Sequence, residues 1–338
     1  MFKMPLPLTL RGILLLRLIF GLYYKCSNSI TVSVLLKLYC ISYCVFYYTN
    51  LYLFGIFTTD ISLIFEVLFD LITALEITVN IYISLVTEEE DVLKYFSCCS
   101  KRFYFWITYV IITNTLLLNL VSFIIYTEYL DVVTNFWCAY QMIAASFGWL
   151  TTVCIAEHHH KTVKDLCKEL EHKFEDVYLS DAAKHRHVQD FIIDYMKMVQ
   201  NLDRTIVSMR KKMATACACE FVKIIISVLY VNYVSVNADQ KSSWILDLTN
   251  SMTIISAPML LMELTDNELD EVKKLLTEQL LKYKDKRLRI AVYDALRYID
   301  VASTKYTLWN GYPANMSLVV GFLNLCIQYI IATLQFLY

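Results

Sequence analysis

A run of about 20 apolar residues is long enough to carry a helix across the hydrocarbon of a bilayer, and this chain of 338 residues repeats that run along its length. Such stretches lie at 30–57, 60–86, 103–127, 132–156, 214–236, 243–263 and 316–338. In lipid each backbone N–H and C=O must be satisfied internally, so the spanning element is a helix. The pattern predicts an all-α integral membrane protein, one domain over 1–338, with seven transmembrane helices. Only 18% of the residues are charged, against about 25% in ordinary globular domains. The stretch 8–24 is apolar but short and carries Arg11 and Arg17. It reads as an amphipathic helix lying at the interface, or alternatively as an eighth span.

Charge sets the expected orientation. Of 30 Lys and Arg, four precede residue 30, three lie at 94, 101 and 102, eleven between 161 and 212, and nine between 273 and 305. With seven spans these 27 share one side, Lys241 alone lies opposite, and Lys37 and Lys223 fall inside spans. Positive residues mark the cytoplasmic face, so the N-terminus is expected in the cytoplasm and the C-terminus outside. A G-protein-coupled seven-helix receptor, the alternative reading, has the opposite layout, and no D-R-Y-like triplet follows the third span. A transporter would show internal repeats with matched broken helices, and none is visible.

The polar mass is expected inside. The outer loops, around Thr58–Asp60, Thr127–Asp131 and Asn237–Ser242, are too short to fold, so a ligand must enter among the outer helix ends. Residues 157–212 and 264–306 read as cytoplasmic helices; in the second, Leu269, Val272, Leu276 and Leu280 recur at helical spacing and suggest anchor helices preceding the last span. Neighbours on a helix diverge by about 100°, so His158-His159-His160 reads as a solvated helix extension and not as a metal site. Glu88-Glu89-Glu90-Asp91 reads as a solvated loop. Eleven cysteines without C-x-x-C pairing read as buried free thiols. No nucleophile elbow or phosphate-binding loop is present, so no enzyme activity, metal, cofactor or nucleic-acid partner is expected.

Ionisable groups inside spans are expensive: Lys37, Glu66, Asp70, Glu76 and Lys223. Glu66, Asp70 and Thr73 share one helix face, which must point into the bundle, either toward a ligand or toward an internal partner such as Lys37. Pro258 is expected to kink the sixth span. The outer halves carry aromatic and amide groups, of which Tyr47, Asn119, Trp137, Tyr140, Gln141, Tyr233 and Trp244, with Glu66, are the ligand-pocket candidates. An aromatic belt at the membrane interface accounts for the same rings singly.

The final span holds no charge, yet Asn324, Gln328 and Gln335 fall at i, i+4 and i+11 on one face, beside Ser317 and Gly321. A wettable, uncharged stripe is what a pore-lining helix needs; a hydrogen-bonding face between helices needs the same residues. The segment Gln328-Tyr329-Ile330-Ile331-Ala332-Thr333-Leu334-Gln335-Phe336 resembles the C-terminal signature of the insect gustatory receptors, Thr-Tyr, five mostly hydrophobic residues, then Gln-Phe. Gln328 stands where that family has Thr, and Thr333 is polar within the five. The resemblance implies a ligand-gated cation channel in the plasma membrane, tetrameric around a pore lined by the last helix. It further implies that Gln335 and Phe336 lie near the outer constriction, with Tyr329, Gln328 and Asn324 along the same helix. A small-molecule tastant would bind in the outer half, the cytoplasmic helices would anchor the subunits, and the partners would be copies of this chain or other gustatory receptors.

Overall fold

Few glycines and prolines interrupt this chain, and its computed structural model is built from long helices. It describes residues 10–24, 29–56, 61–86, 105–126, 132–176, 178–233, 238–301 and 314–337. These form α1 (Leu10–Ile19), α2 (Ile30–Ile56), α3 (Ile61–Val86), α4 (Trp106–Tyr126), α5 (Val132–Gly148), α6 (Leu150–Glu175), α7 (Asp181–Tyr233), α8 (Ala238–Lys282), α9 (Lys286–Val301) and α10 (Met316–Leu337). No strand occurs among the described residues.

Two apolar cores divide the molecule. The larger gathers residues of α1 to α8 with the start of α10, including Ile13, Tyr47, Ile81, Phe147, Val153, Met209 and Met259. The smaller is made only from the C-terminal half of α6, the N-terminal half of α7, the end of α8, and α9. In α9 the buried residues Leu288, Ala291, Val292, Ala295 and Ile299 mark one stripe of an amphipathic helix. At 1.5 Å per residue, the 53 residues of α7 reach about 80 Å and the 45 of α8 about 68 Å. Both far exceed a hydrocarbon thickness of about 30 Å, so each helix serves the apolar bundle at one end and the polar layer at the other. The stretches 157–175, 181–212 and 264–282 therefore continue helices of the bundle into this layer. α8 passes through Pro258 as a single helix.

Cross-links fix the directions. Tyr230 meets Glu66 and Lys223 meets Glu76, so α3 runs against α7. Thr108 meets Glu157 near the start of α4, and the N–H of Met316 meets Glu263 of α8. α2, α3, α4, α5 with α6, α7, α8 and α10 thus run alternately up and down. Among the described residues, five stretches are long and apolar enough to cross a membrane by length and composition: Ile30–Tyr52, Trp106–Ile124, Ala139–Glu175, Thr205–Tyr230 and Met316–Thr333. α3 and the first half of α8 run beside them.

Several charges sit deeper than the sequence suggests. α1 packs one face on α5 and α6 with Ile13, Leu14 and Arg17 buried, while Leu15 and Ile19 stay exposed on the other. The physical reason is the break between α5 and α6. Trp149 closes a tight turn onto Ser146, and carbonyls freed at a helix end attract cations. Arg17 donates to Phe147 O at 3.2 Å, and buried Lys212 donates to Gly148 O at 3.3 Å and Thr151 Oγ1 at 2.9 Å. Gly148 is required here, since a Cβ would stand 2.8 Å from Asn80 Cγ across the α3–α5 contact. Gly21, at φ +75, makes the turn after α1 against Tyr43.

The histidine run is likewise not solvated. α6 wedges between α4, α7 and α8, and Glu157, His158 and His159 are buried. Glu157 caps α4, accepting from Ile107 N at 2.8 Å, Thr108 N at 2.9 Å and Thr108 Oγ1 at 2.8 Å. No metal-binding group of His, Cys, Asp or Glu occurs among the described residues. The run Glu88–Asp91 and the outer loops at Thr58–Asp60 and Thr127–Asp131 lie outside them, as does Asn237; Ala238–Ser242, expected in the third outer loop, form the start of α8 instead.

Candidate functional site

Trp137 and Gln141, one turn apart on α5, both face α2 and α3. With the Gln141 amide oriented to suit its neighbours, Trp137 Nε1 donates to the Gln141 oxygen at 2.7 Å and the Gln141 nitrogen donates to Asp70 Oδ1 at 3.2 Å. One turn along α3 from Asp70, Glu66 Oε1 accepts from Tyr230 OH at 3.1 Å. Tyr47 of α2 lies 5.1 Å from Trp137, ring centre to ring centre, and Tyr43 lies 5.7 Å from Tyr47 and 6.0 Å from Tyr140. Five of the sequence-chosen residues (Tyr47, Glu66, Trp137, Tyr140 and Gln141) thus border one region between α2, α3, α5 and α7. The rings fill much of it, packing tilted or edge-on. Lys37 is no partner of these acids. It sits over the Tyr23 ring at 5.1 Å, toward the other end of α2.

Asn119 is held apart by α5. Its Nδ2 donates to Thr115 O at 2.8 Å, and it lines an apolar groove of about 390 Å³ with Leu120, Phe123, Phe136, Ala139 and Ile143. Thr115, Asn250 and Ser146 then form a hydrogen-bond chain tying α4, α8 and α5. The side chains of Tyr233, Trp244 and Phe336 lie outside the described residues.

Deeper along α3 the acids acquire a cation. Lys223 Nζ lies 2.5 Å from Glu76 Oε2 and 2.8 Å from Glu220 Oε1, all three buried, and Trp149 Nε1 donates to Glu76 Oε1 at 3.1 Å. α3, α6 and α7 are clamped at this point. Glu76 and Lys223 stood out in the sequence as intramembrane charges; Glu220, one turn before Lys223 and inside the same span 214–236, was missed although its place within the apolar run was the same signal.

α10 packs against α7 and α8. Phe221 of α7 receives Tyr329 edge-on at 5.2 Å and Phe322 at 6.4 Å. Tyr329, about half exposed, therefore leans on α7, about 140° from Asn324 around the helix at 100° per residue. Asn324, Gln328 and Gln335 face away and are exposed. Only 11% of this spanning stretch is buried, against 78% for Ala139–Glu175. α2 is also little buried, but its polar groups are satisfied on their own helix: Ser42, Thr49 and Asn50 donate to carbonyls one turn back. On α10 Thr333 does the same, to Tyr329 O at 2.7 Å, which makes it compatible with its apolar surroundings. The three amides of the stripe have no hydrogen-bond partner among the described residues.

No protein-family model matches the sequence. No curated protein matches it either. Solved structures do. The insect olfactory receptor OR5 from Machilis hrabei in complex with eugenol superposes with a TM-score of 0.71 at 11% identity, over 96% of this chain and 97% of that one. A second structure of OR5 from Machilis hrabei gives 0.69 at 10% identity over the same shares. The chain has the fold of these receptors, an all-helical membrane fold, along essentially its whole length.

Proposed function

We propose that the chain is a chemosensory receptor of the insect gustatory type, a ligand-gated cation channel of the plasma membrane. The observation that carries this is α10: three amides on one exposed face, none with a partner among the described residues, on a helix that is mostly apolar. Amides in lipid are costly, and a water-filled axis shared by several copies satisfies all three. Four copies would place four stripes around one pore, wettable and uncharged, suited to permeant cations. The fold shared with olfactory receptors favours the channel over a G-protein-coupled receptor, and the C-terminal Gln335-Phe336 pattern favours the gustatory branch.

In this reading the seven spans keep the bounds drawn from the sequence, with the basic layer in the cytoplasm and the outer ends facing outward. That layer, with α9, anchors the subunits. A small tastant binds among Tyr47, Glu66, Trp137, Tyr140 and Gln141, and the rings that fill this region must rearrange around it. The solved neighbour bound to eugenol supports a small organic ligand of this size class. Asn119 serves helix packing. Opening requires the ligand to bind the open arrangement better than the closed one. Whole-cell recording from cells expressing the chain, alone and with partner receptors, tests the reading under a panel of sugars and plant alkaloids. A ligand-evoked cation current without G-protein signalling is expected. A response carried only through G-protein signalling contradicts it.

A further inference from the structure

The clamp between α3 and α7 leaves something over. With both carboxyls ionised, Glu76 and Glu220 bring two negative charges against the one positive of Lys223, so the buried cluster would carry a net charge of −1. Glu220 Oε1 is taken by Lys223; Oε2 is fully buried and makes no well-formed hydrogen bond among the described residues, with the Ser251 hydroxyl beside the carboxyl. Glu220 lines a small cavity together with Glu76, Ser146, Trp149, Lys223 and Ser251. Its volume is about 20 Å³; one water-sized guest needs about 10–15 Å³.

We propose that this cavity binds one small hard monovalent cation, of which Na⁺ is the type. Three features choose that ligand. The donors in reach are carboxylate and hydroxyl oxygens, which suit hard cations. The net charge calls for a single positive unit, which a divalent ion would overshoot. The space calls for a body the size of a water molecule, which a bare proton does not fill. Met142, Ala145, Ile254 and Ile255 close the remaining walls and exclude an organic cation. The guest would sit on the Glu220 Oε2 side, away from the Lys223 ammonium, with the Ser251 hydroxyl as a neutral ligand.

The site lies inside one subunit and stands independently of the channel reading. Its test is the melting temperature of the purified full-length receptor in sodium chloride against N-methylglucamine chloride at equal ionic strength. A saturable rise with Na⁺, smaller with the larger K⁺, is expected. Glu220→Gln should abolish the rise and Ser251→Ala should reduce it. Glu66→Gln, outside the cavity, and Gln328→Leu, on α10, should leave it intact. If Glu220→Gln does not fold, Ser251→Ala decides. Equal melting of the wild type in both salts, as expected if only water fills the space, overturns the proposal; so does a rise unchanged in Ser251→Ala and Glu220→Gln.

Discussion

Replacing Lys223 by methionine removes the cation that two buried carboxylates share while keeping most of the side-chain volume. In the native protein the three side chains are 2–5% exposed, so water cannot substitute for the ammonium. A pair at 2.8 Å interacts by about 6 kcal/mol at an effective dielectric of about 20, before the cost of desolvating the charges is counted. Measured losses on breaking one buried pair run to about 3–5 kcal/mol. Two acids lose their partner here, which places Lys223→Met at the upper end. Against a total stability of about 5–15 kcal/mol, that is a third or more, enough to cut surface expression severely. Thermal unfolding of the detergent-solubilised protein, with surface labelling in cells, measures it. The triple change Glu76→Gln, Lys223→Met, Glu220→Gln removes every charge and should recover most of the loss. A Lys223→Met variant that melts and reaches the surface like the wild type would refute the reasoning, as would a triple variant no better than the single one.

Gly148→Ala drives a methyl to within 2.8 Å of Asn80 Cγ and should cost about 1–3 kcal/mol in thermal unfolding, recovered when Asn80 is also changed to Ala. Glu157→Gln leaves one acceptor where three hydrogen bonds from the first turn of α4 converge, and should lower stability by about 1–2 kcal/mol. In the polar layer, burial works to lower the Lys273 pKa, but the hydrogen bond and charge of Asp300, with Asp270 behind, outweigh it and hold the ammonium above its ordinary value. A raised cation pKa stabilises below the unfolded value of about 10.4 and is lost only as pH climbs through the folded one. Asp300→Asn should therefore cost less than about 1 kcal/mol, by the same amount throughout about pH 6–9, with the difference fading only in strong alkali; a difference that varied within that range would count against it. Gln335→Leu should reduce ligand-evoked current while leaving surface expression unchanged.

What the sequence revealed and what it hid follow from the range of the interactions. Apolar runs are local, so the helices of the bundle and the α10 stripe could be read at fixed spacings. Helix ends near the polar layer could not. Nothing in an α-helix requires it to stop where hydrophobicity does, so α6, α7 and α8 continue far past 156, before 214 and past 263. Burial of Arg17, Glu157, His159 and Lys212 was hidden because their surroundings are supplied by remote segments: the α5–α6 break, the start of α4, the wedge between helices. The same holds for Lys223, whose partner Glu76 is 147 residues away, and for the division of Asn119 from Tyr47 and Trp137, which depends on which side of α5 each neighbour packs. In the candidate pocket the residue types were legible, but the packing of ring against ring was not.

The central claim is that the exposed stripe of α10 lines a cation path. Single cysteines at Asn324, Gln328 and Gln335, with Phe322→Cys as the inward-facing control, can be exposed to a charged thiol reagent during ligand-evoked current recording. The account predicts rapid modification and block at the three stripe positions, faster in the presence of ligand, and little effect at Phe322. Current that persists unchanged after reagent at all three stripe positions, or block confined to Phe322, would contradict it.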